Sequence, residues 1–197
     1  MLSQLYFIRH GETPWSQIGR YTSRTEVALT PQGEADARQL ATRLAEIDFS
    51  AVFISPRLRA RQTGELAGFG VRGILEPDLA EWDYGDYEGL RTTEIQERCP
   101  GWNIYLHGCP NGESPTEMAA RVDRLIAKIR ARNGIVAVFS HGHFGRVLAT
   151  RWISAPLEEG KKLPLDPASV SVLGYASGDT AKPVIIRWNE TGAPLAE

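Results

Sequence analysis

The sequence predicts a layered α/β domain whose sheet is mostly parallel, with an antiparallel edge supplied late in the chain. Three observations carry that reading. Short apolar, β-rich segments alternate with segments of helical period, the pattern of strands covered by helices. Three of those strand-like segments end alike, delivering a cation or an imidazole: the first in Arg9-His10-Gly11, the second in Ser55-Pro56 and then Arg59, the third in Ser140-His141-Gly142. The final strand-like pair reads as a hairpin.

The elements follow in order. Leu5 to Ile8 is the first strand, an apolar run that stops at Arg9. "LTPQGEADARQLATRLAEI" is a helix with Thr30 as its N-cap and Pro31 at its first position; its apolar stripe is Ala37, Leu40, Ala41, Leu44 and Ile47. "AVFIS" (51–55) is a buried strand and "PRLRARQTGELAG" the helix behind it. A long helix starts at "SPTE", where Ser114 and Glu117 have capping-box spacing around Pro115. Its stripe is Met118, Val122, Leu125, Ile126 and Ile129. "IVAVFS" (135–140) is a core strand followed by the helix "HFGRVLATRWI". Two strands, about 169–176 and 183–188, are joined by the turn "SGDTAK". No internal repeat or low-complexity tract interrupts this order, and one domain over 1–197 is expected.

Composition narrows the function classes. Of 197 residues, 42% are hydrophobic and 23% charged, with a net charge of −2, so no basic footprint for nucleic acid or an anionic membrane surface is present. The longest strong apolar run, Ile135 to Phe139, falls far short of the roughly 20 residues of a membrane span. Neither a basic nor a long apolar segment precedes Arg9, so a cytoplasmic protein is expected. Cys99 and Cys109 form no CxxC and suit neither a zinc site nor a disulfide scaffold.

The strand ends point to chemistry. In open α/β sheets, ligands bind outside the carboxyl ends of the strands. Arg9, His10, Arg59 and His141 converging there would make a dianion pocket, since arginine holds phosphate oxygens bidentately and stays charged. The helix after Ser55 would add amide N–H groups and the positive end of its dipole. A neutral imidazole in such a pocket can attack phosphorus, and phosphoryl transfer is mostly positioning and charge stabilisation. The acidic segment "LAEWDYGDYEG" offers Glu81, Asp83, Asp86 and Glu88 as the proton donor for a leaving alkoxide. Each piece alone is weak: Arg-His-Gly can be a chance strand end, and an arginine cluster is usually a solvated helix face. Their conjunction, with three of the four histidines in strand-end motifs, is the signal.

With these motifs in place, the chain resembles the histidine phosphatase superfamily, in its phosphoglycerate mutase-like branch. "LYFIRHGETPWSQIGRYTSRTEVALTPQGEADA", "SPRLRARQT", "LAEWDYGDYEG" and "VFSHGHFGRVL" match that branch's four signature segments in order, over nearly the whole chain. The resemblance implies a three-layer α/β/α sandwich. It implies that His10 is the nucleophile that becomes phosphohistidine, that Arg9, Arg59 and His141 bind the phosphoryl group, and that Glu81 is the acid/base. Thr22, Ser23, Gly142 and His143 would lie around the phosphate, and Ser16 stands where many members carry Asn. Tyr84 and Arg24 would be in substrate reach. Gly11, a small residue after the nucleophile, would let the backbone approach His10. No metal and no cofactor are implied, and the partner is a small phosphorylated substrate. The branch commonly forms dimers, and the late apolar strand would suit an edge-to-edge contact.

The resemblance leaves the acceptor open, because mutases and phosphatases share these residues. Three features favour hydrolysis over a cofactor-dependent mutase. The chain is short for such a mutase, Thr92 (beside Arg91) stands where mutases place a lysine, and "CPGWNIYLHGCPNGES" lacks the paired arginines that hold the glycerate carboxylate. An inactive phospholigand-binding or scaffold protein on the same fold is the alternative from a different class, and the intact set His10, Arg9, Arg59, Glu81 and His141 speaks against it. His107 reads as a loop residue, and Trp15, Trp82 and Trp102 as packing or pocket-wall residues.

Overall fold

The structure, a computed structural model, describes residues 1–176 and 182–192. Strands β1 (Leu2–Arg9), β2 (Phe49–Ile54), β3 (Gly73–Leu75), β4 (Gly134–Ser140), β5 (Val170–Tyr175) and β6 (Pro183–Glu190) form one sheet in the order β3-β2-β4-β1-β5-β6. The first four in that order are mutually parallel; β5 runs antiparallel to β1, and β6 to β5. The expected mixed sheet and its late antiparallel edge are both present. The turn expected at 177–182 lies, apart from Lys182, outside the described residues.

Helices α1 (Pro14–Gln17), α2 (Pro31–Leu44), α3 (Leu58–Leu66), α4 (Thr92–Arg98), α5 (Ile104–His107), α6 (Pro115–Arg130) and α7 (Gly142–Trp152) complete the fold. The side-chain period of two divides the sheet into two buried faces. Leu5, Phe7, Val136 and Val138 pack with Met118, Val122 and Leu125 of α6 and Phe144 and Leu148 of α7. Tyr6, Ile8, Ala137 and Phe139 pack with Leu40 and Leu44 of α2 and Ala60 of α3. Three layers result. Both long amphipathic helices start as their sequence requires: Thr30 Oγ1 accepts from Gly33 N at 3.0 Å, and Ser114 and Glu117 close a capping box. The α2 stripe was expected to run to Ile47; the helix stops at Leu44, and Ile47 packs against the core from the turn that follows.

Two features of this topology prepare a site. First, α2 follows β1 on one face whereas α7 follows β4 on the other, so the neighbours β1 and β4 flank a topological switch point. Second, the strands end level. Arg9 pairs with Ser140 and Ile54 with Phe139, and the ladder continues one residue further through His10 N to Ser140 O and Ser55 N to Phe139 O, both 2.9 Å.

Candidate active site

His10 leaves β1 into this crevice, 5% exposed. Its Nδ1 lies 2.7 Å from the carbonyl of Gly11. A carbonyl can only accept, so Nδ1 carries the proton and Nε2 keeps its lone pair. Burial, and then the charges of Arg59 and Arg9, hold the imidazole's pKa well below its usual value. The ring is therefore neutral, with a free nitrogen.

The backbone that holds His10 is crowded, though not by His10 itself. A Cβ on Gly11 would lie 2.6 Å from the carbonyl oxygen of Gly33, and one on Gly33 would lie 2.2 Å from that of Glu12. The start of α2 thus sits directly on the chain leaving β1. Glu12 serves this junction: its carbonyl accepts from Thr30 N at 2.9 Å and its carboxylate from Thr30 Oγ1 at 2.7 Å. Gly11 N donates to Thr63 Oγ1 of α3 at 2.9 Å.

The cations surround the imidazole. Arg9 donates to the carbonyl of Leu165, and burial lowers its pKa to about 10. Arg59 is fully buried on the first turn of α3 and donates to the carbonyls of Thr22 (2.7 Å) and Thr25 (3.5 Å). His141 caps the start of α7, fully buried, with its Nε2 2.7 Å from Ser55 Oγ. Burial and the charge of Arg59 keep it neutral as well. Arg9 Nε, Arg59 Nε and His141 Nδ1 are all buried with no hydrogen-bond partner within the protein.

Glu81 reaches the crevice from the loop after Leu79. Its Oε1 accepts from Trp82 N (2.9 Å) and Phe144 N (2.8 Å), and its Oε2 from His143 N (3.1 Å). The loop is pinned by Arg121 of α6, which donates to the carbonyls of Asp78 (2.8 Å), Ala80 (2.7 Å) and Glu81 (3.4 Å) and pairs with Glu113 at 2.7 Å. Tyr84 Oη lies 2.7 Å from His143 Nδ1. Burial raises the Tyr84 pKa well above its usual value and, with the charges of Arg146 and Arg9, lowers that of His143 to about 3. Both groups are thus neutral, and they share one hydrogen bond.

One cavity of about 190 Å³ gathers Arg9, His10, Ser16, Thr22, Glu81, Tyr84, Gly142 and His143. Arg59 and His141 lie buried around it, His141 with its ring centroid 5.2 Å from that of His10. Other candidates named from the sequence lie elsewhere, each for a visible reason. Ser23 N and Oγ both donate to Glu88, at 2.9 and 2.5 Å. Arg24 pairs with Asp83 beside a neighbouring cavity. Arg91 pairs with Glu94 at 3.2 Å, and exposed His107 bonds Asn103 at the end of α5. Trp82 and Trp102 are core residues.

Thr13, Arg20, Tyr21 and Arg146 also line the cavity and were not singled out from the sequence. Arg146 had a usable signal, lying four residues after Gly142 and so on the same helix face. Arg20 and Tyr21 sit in an irregular loop where no period exists to read.

The fold and this pocket define an α/β protein with paired histidines and paired arginines around a crevice at the strand ends. The family model described as "Histidine phosphatase superfamily (branch 1)" matches residues 5–191, and the chain belongs to that family. It is 43% identical over 182 residues to an acid phosphatase of Mycobacterium tuberculosis, covering 89% of this chain and 88% of that one. It is 35% identical over 184 residues to sedoheptulose 1,7-bisphosphatase of Saccharomyces cerevisiae, covering 77% and 68%. The solved structure of a Mycobacterium tuberculosis open reading frame product superposes with a TM-score of 0.89 at 40% identity, over 97% of this chain and 99% of that one. No described helix is long and apolar enough to cross a membrane.

Proposed function

We propose that this chain is a metal-independent phosphomonoester hydrolase that acts on a small phosphorylated metabolite through a phosphohistidine at His10. The observation that carries this is the group of unpartnered buried nitrogens, Arg9 Nε, Arg59 Nε and His141 Nδ1, set around a neutral imidazole with a free Nε2. Buried donors without partners are costly. A phosphoryl group satisfies all three at once.

In this reading His10 Nε2 attacks phosphorus in line, the ester P–O bond breaks, and the Glu81 carboxyl gives its proton to the leaving oxygen. Water then attacks the phosphohistidine, the P–N bond breaks, and Glu81 takes the proton back. Arg9, Arg59 and His141 hold the equatorial oxygens, Ser16, Thr22 and Gly142 border the phosphate, and Tyr84 and His143 face the leaving group. The relatives named as phosphatases favour hydrolysis over the mutase alternative. A cytoplasmic location fits the two free cysteines, Cys99 and Cys109. A homodimer through the edge strand β6 is the assembly expected of this reading, and light scattering at micromolar concentration tests it.

The test of function is to incubate the protein, with a chelator present, with a panel of sugar phosphates, sugar bisphosphates and aryl phosphates. Phosphate release through an acid-labile, base-stable phosphoenzyme is expected, with both lost in His10→Ala. Rapid interconversion of 2- and 3-phosphoglycerate with negligible phosphate release would instead establish a mutase. Full activity in His10→Ala would exclude both.

A further inference from the structure

His141 stands at the N-cap of α7 but makes no capping bond with its side chain. Glu81 takes that role instead: its carboxylate accepts from His143 N and Phe144 N, the second and third residues of the helix. The His141 ring is therefore not committed to the helix, and it is fully buried. One of its nitrogens, Nε2, lies 2.7 Å from Ser55 Oγ; the other, Nδ1, is buried with no partner within the protein. Ser55 is fully buried too, and its backbone is fixed by the bond from its N–H to Phe139 O at 2.9 Å. Its hydroxyl oxygen accepts from Arg57 N at 3.4 Å. Among the described residues, the hydroxyl proton has no acceptor other than His141.

A neutral imidazole has a single N–H, and its two placements differ here. With the proton on Nε2, that N–H donates to Ser55, the buried hydroxyl proton is stranded, and the Nδ1 lone pair meets the phosphoryl oxygens. With the proton on Nδ1, the hydroxyl donates to Nε2, no serine proton is stranded, and an N–H meets the phosphoryl oxygens instead. The second placement removes a buried unsatisfied donor and replaces a repulsion by a hydrogen bond. We infer that Ser55 is a positioning residue whose hydroxyl donates to His141 Nε2, fixing the His141 proton on Nδ1, where it serves the phosphoryl group as a hydrogen-bond donor. Arg9 and Arg59 then supply the charge that a dianion needs, and His141 supplies direction. This rests on the phosphoryl-transfer reading and deepens it, because a hydroxyl at the end of β2 sets how the imidazole at the end of β4 presents itself.

The test is nitrogen NMR of the full chain carrying isotope-labelled histidine, in which protonated and bare ring nitrogens resonate in separate ranges. The His141 signals are those lost in His141→Asn. Without ligand, the wild type is expected to show His141 protonated on Nδ1 and bare on Nε2. Ser55→Ala should move His141 to the other tautomer or to a mixture, and leave His10, tied through Nδ1 to the Gly11 carbonyl, as it was. Vanadate affinity and kcat/KM for p-nitrophenyl phosphate should fall together by about tenfold or more, the scale of one hydrogen bond to a charged group. Ser55→Thr keeps the hydroxyl and should hold both within about threefold of wild type, with Ser55→Cys, a weak donor, between. A bare Nδ1 in the wild type would overturn the inference without any variant, so a Ser55→Ala chain that fails to fold does not shelter it. An unmoved tautomer in Ser55→Ala, or a moved one with undiminished vanadate affinity, would overturn it as well. If no ester is hydrolysed while the tautomer and vanadate binding behave as expected, the hydrolase reading fails and this inference stands.

Discussion

The rings of His10 and His141 stand 5.2 Å apart between centroids and are inclined at 57°. Each hangs from the end of a neighbouring parallel strand, and the pairing of Arg9 with Ser140 makes those ends level. Each is also tied on one nitrogen, His10 to the Gly11 carbonyl and His141 to Ser55. The opposite nitrogens are left for a ligand, and the backbone ladder sets their spacing.

Replacing Glu81 by Gln separates proton donation from binding. The amide cannot protonate a leaving group, and its NH2 would face the donors that hold the carboxylate, His143 N at Oε2 or Trp82 N and Phe144 N at Oε1. Turnover of alkyl phosphates is expected to fall by about 10²–10³-fold, and that of p-nitrophenyl phosphate by less than about tenfold, because its leaving group barely needs a proton. Equal losses for both ester types would remove Glu81 from the acid role.

Arg59→Ala removes a fully buried cation from beside His10 and leaves the carbonyls of Thr22 and Thr25 without their donor. A loss of about 10²–10³-fold in kcat/KM is expected, as for other lost charge-stabilising donors. Vanadate affinity should fall in parallel, which steady-state inhibition measures.

Stability should depend on pH through the buried histidines. His143 is held near a pKa of about 3 in the fold, against an ordinary value near 6.5. Below 6.5 the unfolded chain binds a proton that the folded chain refuses, so stability falls as pH drops through the window from about 6.5 to about 3 and is full above it. His10 and His141 shift the same way. Urea unfolding at a series of pH values should show this slope, and His143→Gln should reduce it by about 1.4 kcal/mol per pH unit, the effect of one proton. An unchanged slope would show that the His143 ring is accessible to protons in the fold.

Gly33→Ala drives a methyl into the carbonyl of Glu12, which is backbone and cannot swing aside. A loss of about 1–3 kcal/mol in unfolding free energy is expected, within the range for overpacking. Because Gly11 in turn packs against the Gly33 backbone, phosphoenzyme formation should slow as well; rapid-quench measurement reads that step directly.

How far the sequence could be read depended on whether a residue sat on a repeating element. The strands ending at Arg9 and Ser140, the stripes of α2 and α6 and the caps Thr30 and Ser114 all follow from period and cap chemistry, and the structure has them within a few residues. The three-residue β3 and the four-residue α1 and α5 are too short to carry a period, and α4 over Thr92–Arg98 buries only Ile95. The same limit governed the pocket. His10, Arg59 and His141 sit at or just beyond strand ends and could be found, whereas Arg20 and Tyr21 come from a loop whose course depends on distant contacts such as Tyr21 N to Leu90 O. Arg121 gave no signal at all, since an arginine on a helix is ordinary until its partners are known.

Arg121 has one further consequence. Its guanidinium ties three carbonyls of the Glu81 loop to α6 and to Glu113, Trp82 Nε1 donates to the Glu113 carbonyl at 2.8 Å, and Glu113 N returns a bond to Asp83 O at 2.9 Å. In the proposed reaction the carboxyl that exchanges a proton twice in each turnover is thus mounted on a hydrogen-bonded shelf of the fold. The bonds that set the carboxyl in place also join the loop to α6, so its position depends on the fold as a whole. On heating, activity and fold should disappear in one transition, with no inactive but still folded state between them.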